Sequence, residues 1–220
     1  ETVEQHYDRV LVAIGRRPNT EDLGLETTNV ELGPGGVIVT DEACRTAEPN
    51  IFAIGDVTAG PMLAHKASRE GKVAAEVIAH DGDGTPAEFD NRAIPAVVFT
   101  DPEIAWAGLT EREANEQDIA VSIGRFPLSA LGRARTLARS DGLVKVIADA
   151  QTDTILGVGI VGPMASELIA EGTLAVEMGA TLEDLMVTIH AHPTLSEAIM
   201  EAAEVAAGEP VHINPPRKVR

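Results

Sequence analysis

The spacing of apolar positions along the chain changes near residue 91. Before that point, short continuous aliphatic runs end at glycines or turns, a pattern typical of buried strands in an α/β sheet. These runs are residues 7–14, 37–39 and 51–54. From residue 63 to residue 79, apolar positions recur at helical spacing, which predicts a helix. The first part of the chain is therefore predicted to be α/β.

Beyond residue 91 the pattern predicts several strands and then mainly helices. The predicted strands are residues 96–99, 104–107, 119–126, 143–148 and 155–160, and the predicted helices are 111–116, 166–178, 182–187 and 195–206. This order is typical of an α+β domain with an antiparallel sheet and helices on one side. The run DGDGTP at 81–86 predicts a linker, so we place a domain boundary near residue 91.

The composition is typical of a globular protein, and the chain is long enough for one large domain or two smaller ones. It has 220 residues, of which 44% are hydrophobic and 24% charged. No apolar run approaches the roughly 20 residues that span a bilayer. The chain begins at Glu1, with neither a methionine start nor a signal peptide. We therefore expect a soluble chain without membrane contact, and a piece of something longer.

The formal net charge of −18 argues against nucleic acids and anionic membranes as partners, because their phosphates would be repelled. One hypothesis for this acidity is a salt-rich cytoplasm, where screening removes self-repulsion. The alternative is an ordinary acidic cytosolic enzyme. Cys44 is the only cysteine, which excludes an intrachain disulfide and fits a reducing, cytoplasmic location. An inert Cys44 thiol is favoured over a reactive one because neither a CxxC partner nor a base adjoins it.

The stretch HAHPTLSE carries the strongest candidate chemistry. His192 stands before Pro193 at a predicted turn, and Glu197 follows at the start of a helix. A carboxylate that takes one ring N–H leaves the other imidazole nitrogen to accept a proton, which would make His192 a general base. Two alternatives stay open. Residues 194–197 can form a capping box in which Glu197 bonds backbone. Alternatively, His190 and His192 could share the ligand sphere of a metal ion with Glu197.

A second candidate site follows the third predicted strand. Gly55 lets a backbone approach closely, and Asp56 can accept hydrogen bonds from ligand hydroxyls. The next helix start would offer N–H groups to negative charge. It is formed by Met62, Leu63, Ala64 and His65. Gly15 in GRRPN could approach a dinucleotide. In isolation, each of these segments is also explained as an ordinary turn or helix start.

Five segments, taken together and in order, resemble the pyridine nucleotide–disulfide oxidoreductases. They are AIGRRPNT, NIFAIGDV, PMLAHKASREG, FTDPEIAWAGLTE and HAHPTLSEA. The resemblance covers essentially the whole chain, which is most similar to the members that oxidise dihydrolipoamide. It implies α/β plus α+β architecture: the returning part of an FAD-binding Rossmann-like domain, then an α+β dimerisation domain. The implied limits are the last strand of the NAD-binding domain at 1–18, the FAD-binding segment at 19–91 and the dimerisation domain at 92–220.

The resemblance also implies roles for these residues. His192 would be the proton acceptor and Glu197 its orienting partner, serving the redox disulfide of the other subunit of a homodimer. Asp56, after Gly55, would bind the ribityl chain of FAD. The backbone from Met62 through Leu63 and Ala64 to His65 would face the flavin. Gly15 would lie against NAD.

The implied substrate is the lipoyl domain of a 2-oxo acid dehydrogenase complex. The family's GxGxxG motifs and redox CxxxxC belong upstream, and we expect none of them here. We therefore expect the chain alone to be inactive. The alternatives are a non-catalytic dimerisation fragment, a glutathione reductase-like enzyme and a metal protein.

Overall fold

The computed structural model describes residues 3–80 and 87–214. Contacts between Cα atoms divide the chain into two compact units, Glu1–Asp90 and Asn91–Arg220. The linker predicted at 81–86 lies outside the described residues.

The amino-terminal unit is built around one long helix, α1 (Ala64–Ala79). The helix predicted at 63–79 is thereby confirmed to within one residue. Its buried face, with Val73, Ala74 and Val77, forms a small core with Ala43 and Cys44. Short 3-10 turns make up the other helical segments described in this unit. They are Leu25–Thr27, Pro34–Gly36 and Gly55–Val57.

The strands predicted in the amino-terminal unit are wrong as regular strands. Residues 7–14 adopt no strand, and Leu11 and Ile14 are 90% and 95% exposed. Among the described residues this segment has no neighbouring strand to accept its backbone hydrogen bonds, so its apolar pattern has nothing to pack against. The runs at 37–39 and 51–54 contribute only isolated bridges, at Ile38 and Phe52.

The carboxy-terminal unit contains a five-stranded sheet in the order β1-β2-β5-β4-β3, with every neighbouring pair antiparallel. Its strands are β1 (Ala96–Val98), β2 (Glu103–Gly108), β3 (Val121–Pro127), β4 (Leu143–Asp149) and β5 (Ile155–Gly162). Its helices are α2 (Glu111–Glu116), α3 (Gly132–Thr136), α4 (Ala165–Met178), α5 (Leu182–Val187) and α6 (Glu197–Ala207). The five predicted strands and the antiparallel α+β order are confirmed.

Helices α4 and α6 cover one face of this sheet, α4 against β2 and β5 and α6 against β3 and β4. Alternate strand residues such as Val144, Val158 and Ile160 are almost fully buried there. Helix α6 approaches β3 so closely that a Cβ at Gly124 would lie 1.8 Å from the Ala202 carbonyl oxygen. A side chain at Gly124 would displace α6, and with it the first residue of that helix, Glu197.

Two features of the helices depart from the sequence prediction by more than one residue. Helix α3 was not predicted, because its five residues, GRART, carry no apolar repeat. Helix α6 begins at Glu197 rather than residue 195. Leu195 is only 7% exposed, so it supplies the apolar periodicity without being helical. Among the described residues, no helix combines the length and apolar character needed to span a bilayer.

Candidate active site

His192 lies in the turn that joins α5 to α6. The peptide bond to Pro193 is cis. The His192 side chain is 78% exposed, so the ring does not point into the interior of its own unit. The turn therefore presents His192 outward from the surface that α6 helps to form.

Glu197 holds the His192 ring. The Nδ1 atom of His192 lies 2.8 Å from Oε1 of Glu197, whose side chain is only 15% exposed. Within residues 3–80 and 87–214, no hydrogen bond is found at Nε2 of His192. An Nδ1–H that donates to the carboxylate leaves the Nε2 lone pair directed outward, which is the arrangement a general base requires.

Glu197 also bonds backbone, so the capping-box alternative is half right. Its Oε2 accepts a hydrogen bond from the Thr194 N–H at 2.7 Å. The hydroxyl of Thr194 donates instead to the Ala191 carbonyl oxygen, at 2.7 Å. Each oxygen of the carboxylate thus has its own partner, and the backbone bond fixes the group that orients the imidazole.

The pKa of Glu197 is lowered from its ordinary value. Burial alone would raise the pKa of this carboxyl, but the hydrogen bonds from the Thr194 N–H and the His192 ring outweigh it. Glu197 therefore stays ionised to lower pH than a free glutamate. A carboxylate that keeps its charge continues to accept the His192 Nδ1–H across the neutral range.

His190 occupies a different environment. Its side chain is 6% exposed, and its Nε2 lies 2.7 Å from Oε1 of Glu171 on α4. Its Nδ1 lies 2.9 Å from the Thr188 carbonyl oxygen. Both ring nitrogens of His190 lie within hydrogen-bonding distance of an oxygen of the protein, so neither is left open toward a substrate. His190 anchors the turn to α4.

The metal alternative finds no support in this geometry. His190 and His192 use different carboxylates, Glu171 and Glu197. In the part of the chain that the structure describes, no group of three or more His, Cys, Asp and Glu residues is arranged to hold a metal ion.

The second candidate site centres on the turn Gly55–Val57. Gly55 is buried with a φ of 76°, in the left-handed region that favours glycine. The Asp56 side chain is 50% exposed, with Oδ2 3.7 Å from Nη1 of Arg16. The same Arg16 nitrogen donates to the Met62 carbonyl oxygen at 3.2 Å. The structure thus brings Asp56 and Met62 together through Arg16, which the sequence analysis did not select.

Helix α1 starts beside this turn. Leu63 is its N-cap and makes no side-chain cap hydrogen bond, and the helix begins at Ala64, with Ala64 and His65 exposed. The first N–H groups of a helix have no partner within it, so this start presents donors to its surroundings. Gly15, next to Arg16, has a φ of 146°, and a Cβ there would meet nothing within 4 Å.

Sequence reasoning also missed two buried charged residues behind Asp56. Lys66 and Glu70 form an ion pair beneath the Gly55–Val57 turn, with side chains 2% and 8% exposed. The signal was available, because Lys66 and Glu70 stand four residues apart on the predicted helix. Solvated pairs of this spacing are common, and only the fold shows that this one is buried.

Two further predictions concern single features of the sequence. Cys44 is buried, and burial, followed by the nearby Glu70 and Asp41 carboxylates, raises the pKa of its thiol. This supports the interpretation of Cys44 as an inert thiol.

The expectation that no GxGxxG occurs is wrong as a pattern, because Gly157–Gly162 reads GVGIVG. These residues lie inside antiparallel strand β5, whereas a nucleotide-binding fingerprint places its glycines in a strand-to-helix turn.

Two family profiles match the chain. Residues 94–203 match the dimerisation domain of pyridine nucleotide-disulphide oxidoreductases, and residues 1–71 match the pyridine nucleotide-disulphide oxidoreductase profile. The chain therefore belongs to the pyridine nucleotide-disulphide oxidoreductase family.

Particular relatives narrow this membership. The chain is 56% identical to a dihydrolipoyl dehydrogenase of Halobacterium salinarum over 96% of its own length and 44% of the relative's. It is 51% identical to a dihydrolipoyl dehydrogenase of Bacillus subtilis, with the same coverage. The chain thus spans about 44% of the length of these curated relatives.

Solved structures give the same picture. LpdA of Mycobacterium tuberculosis superposes with a TM-score of 0.78 at 35% identity, over 87% of this chain and 41% of that one. The flavoprotein disulfide reductase RclA of Escherichia coli superposes with a TM-score of 0.77 at 26% identity, over 87% of this chain and 44% of that one.

Proposed function

We propose that this chain is the carboxy-terminal part of a dihydrolipoyl dehydrogenase, which oxidises protein-bound dihydrolipoyl groups with NAD⁺ by way of FAD and a redox disulfide. The observation that carries this proposal is the exposed His192 ring, held by Glu197 through Nδ1 alone. The names and identities of the curated relatives support the choice of dihydrolipoamide over other disulfide substrates. The lipoyl domain of a 2-oxo acid dehydrogenase complex is the proposed partner.

His192 would act on the thiol. A thiol with a pKa near 8.5 is only a few per cent ionised at neutral pH, and only the thiolate attacks a disulfide. The Nε2 atom of His192 would accept the thiol proton as attack begins, while Glu197 stabilises the ring through Nδ1. Such general-base assistance is worth about 10²–10⁴ in rate.

The amino-terminal unit fits FAD. A half-exposed carboxylate at Asp56 can accept hydrogen bonds from ribityl hydroxyls, and the helix start from Met62 to His65 can donate N–H groups to an anionic flavin edge. When bound, FAD supplies two-electron transfer between the enzyme dithiol and NAD⁺. Gly15 is proposed to lie against the nicotinamide nucleotide. The proposed domain limits are 1–18, 19–91 and 92–220, as the resemblance implies.

A homodimer is proposed to complete the site. The match of residues 94–203 to a dimerisation domain supports it. Exposed apolar side chains also accompany the histidine turn, since Val187 and Ile189 are 67% and 97% exposed. On the helix face of α4 that carries Glu171, Leu174 and Met178 are likewise exposed. Large apolar groups exposed together are typical of a surface covered by another chain.

The test uses the protein expressed from the complete gene. It should purify with FAD and form NADH from dihydrolipoamide and NAD⁺, followed by absorbance. A preparation that holds no flavin and forms no NADH would contradict the proposal. It would favour the alternative of a non-catalytic dimerisation module, which is consistent with the single cysteine of this chain.

Mixed dimers test the shared site. One variant carries His192→Gln, and the other has the family's redox cysteines, upstream of this chain, replaced by serine. Each variant alone should have at most a small residual activity. Coexpressed, they should regain activity, because a mixed dimer holds one site with an intact disulfide from one subunit and an intact His192 from the other. No recovery in a verified mixed dimer would place His192 and the disulfide it serves in the same subunit.

A cytoplasmic, salt-rich location is proposed from the charge. Acidic residues outnumber basic ones by 35 to 17, giving the formal charge of −18. High salt screens the repulsion among these carboxylates. The melting temperature should therefore rise steeply from low to molar KCl, and a flat response would leave the ordinary acidic enzyme as the better description.

A further inference from the structure

The ion pair beneath the Gly55–Val57 turn is fully satisfied. Nζ of Lys66 lies 2.8 Å from Oε1 of Glu70, and it donates to Oγ1 of Thr58 at 2.8 Å and to the Gly55 carbonyl oxygen at 3.2 Å. These contacts use the three hydrogens of the ammonium group. None of them is solvated, since the Lys66 side chain is only 2% exposed.

The carboxylate bonds the same turn from its other oxygen. Oε2 of Glu70 accepts the Gly55 N–H at 2.7 Å. The Thr58 hydroxyl lies 3.2 Å from Oε1 of Glu70 and 2.8 Å from the Gly55 carbonyl oxygen, so its one hydrogen is shared between them. Both backbone groups of Gly55 are therefore bonded by charged side chains of α1.

The cost of burial shows that helix stability is a poor explanation for this pair. Two buried charges lose their hydration, and well-packed apolar residues in their place are often neutral or stabilising. Helix α1 already buries Val73, Ala74 and Val77. What apolar residues could not supply is the set of hydrogen bonds to Gly55 and Thr58, the two ends of the turn that carries Asp56.

We propose that Lys66 and Glu70 are positioning residues that hold the Gly55–Thr58 turn so that Asp56 points toward the cofactor, and that they thereby set the affinity for FAD. The inference rests on the proposed function for the identity of the ligand. Its physical basis is preorganisation: a turn already fixed in its binding conformation loses less entropy when the ligand binds.

The test compares matched double variants of the protein expressed from the complete gene. Lys66→Met with Glu70→Leu removes both buried charges together, so that neither is left unpaired. The control is Arg112→Gln with Glu116→Gln, an exposed pair of the same spacing on α2. Three quantities are measured: the FAD dissociation constant of the apoprotein, amide hydrogen exchange along residues 55–58 and 73–77, and the melting temperature.

Positioning predicts a local effect. The FAD dissociation constant should rise about tenfold in the buried-pair variant, because FAD binding must then order the turn that hydrogen bonds to charged groups order in the parent. Exchange should accelerate at residues 55–58 while residues 73–77 keep their protection. The control variant should match the parent in FAD affinity and in exchange.

Two outcomes would overturn the inference. In one, the buried-pair variant binds FAD like the parent and its turn exchanges at the parental rate. In the other, exchange accelerates equally along α1, and the melting temperature falls together with the FAD affinity. That result would mean that the ion pair only stabilises the fold. A parent protein that binds no FAD would refute the proposed function, while exchange at residues 55–58 would still decide whether the pair orders the turn.

Discussion

His190 and His192 stand two residues apart, and each meets a glutamate, yet the fold gives them opposite roles. The His190 side chain is 6% exposed with both ring nitrogens bonded, to Glu171 and to the Thr188 carbonyl oxygen. The His192 side chain is 78% exposed with only Nδ1 bonded, to Glu197. Both histidines contact a carboxylate, so that contact alone does not make a histidine a general base. What distinguishes His192 is a second nitrogen left open on the surface.

The two glutamates differ in the same sense. Glu171 lies within α4 and reaches a buried ring, so the pair ties the turn to a helix. Glu197 is the first residue of α6 and is itself held by the Thr194 N–H, so the pair fixes an exposed ring on the surface. The Glu171–His190 pair therefore anchors the turn, whereas the Glu197–His192 pair orients a proton acceptor.

The largest effect is expected from His192→Gln. Glutamine keeps a polar side chain but cannot accept the thiol proton, so dihydrolipoamide turnover should fall by about 10²–10⁴. FAD content should be unchanged. The matched control is His80→Gln, which alters an exposed histidine in the other unit. Near-normal turnover of the His192 variant, measured by NADH formation, would remove this ring from the mechanism.

Glu197→Gln should have the next largest effect. An amide orients the ring less well than a carboxylate and does not stabilise it as a cation. Loss of a hydrogen bond to a charged group costs about 1.5–3 kcal/mol, or roughly 10- to 150-fold in rate. The pH profile of turnover should shift as well, because the charge beside the base is gone. A loss equal to that of His192→Gln with an unshifted profile would instead indicate that the turn has collapsed.

How far the sequence predicts the fold depends on where the partners of each segment lie. The strands of the carboxy-terminal unit pair with one another, so apolar alternation places β2 and β4 within a residue or so of their observed ends. The run at 7–14 has the same apolar character but no neighbouring strand among the described residues, and it forms none. Local pattern predicts a strand only where the chain supplies the rest of the sheet.

The contacts of the candidate site likewise differ in how far apart their residues lie in the sequence. The contact between His192 and Glu197 is local, so the spacing of five residues was enough to suggest it. The partner of His190 is 19 residues away on another helix, and that of Asp56 is Arg16, so neither contact is visible in the sequence. The burial of Lys66 and Glu70 was equally hidden, because it depends on the Gly55–Val57 turn folding over α1.

Glu171→Gln sharpens the comparison from the side of the anchor. It weakens a partly buried hydrogen bond to His190 but leaves Nε2 of His192 untouched. Turnover should change only a few-fold, whereas the melting temperature should fall by about 2–4 °C, the shift expected for roughly 1 kcal/mol in a domain of this size. Should turnover fall as far as in the His192 variant, the separation between anchor and base would be wrong.

The smallest effect is expected at Glu204, a carboxylate in the opposite situation from Glu197. Burial, followed by the charge of Glu201, raises the pKa of Glu204, although His212 opposes this. Among the described residues its Oε2 is buried without a hydrogen bond. A carboxyl with a raised folded-state pKa costs stability at neutral pH, and that cost disappears as the pH falls below the folded value. The lowered pKa of Glu197 acts with the opposite sign, because its stabilisation is present at neutral pH and is lost on acidification.

Glu204→Gln should therefore raise the melting temperature at pH 7, by roughly 1–3 °C. Glu197→Gln should lower the melting temperature at the same pH. The Glu204 difference should shrink as the pH falls from the raised folded-state pKa toward the ordinary glutamate value, and the Glu197 difference as the pH falls from the ordinary value through the lowered folded-state pKa. In each window the carboxyl becomes protonated and resembles the amide. Melting curves of the parent and both variants across this range provide the check. If both variants change the melting temperature in the same direction at pH 7, hydrogen bonding does not explain why the two carboxylates differ in their effect on stability.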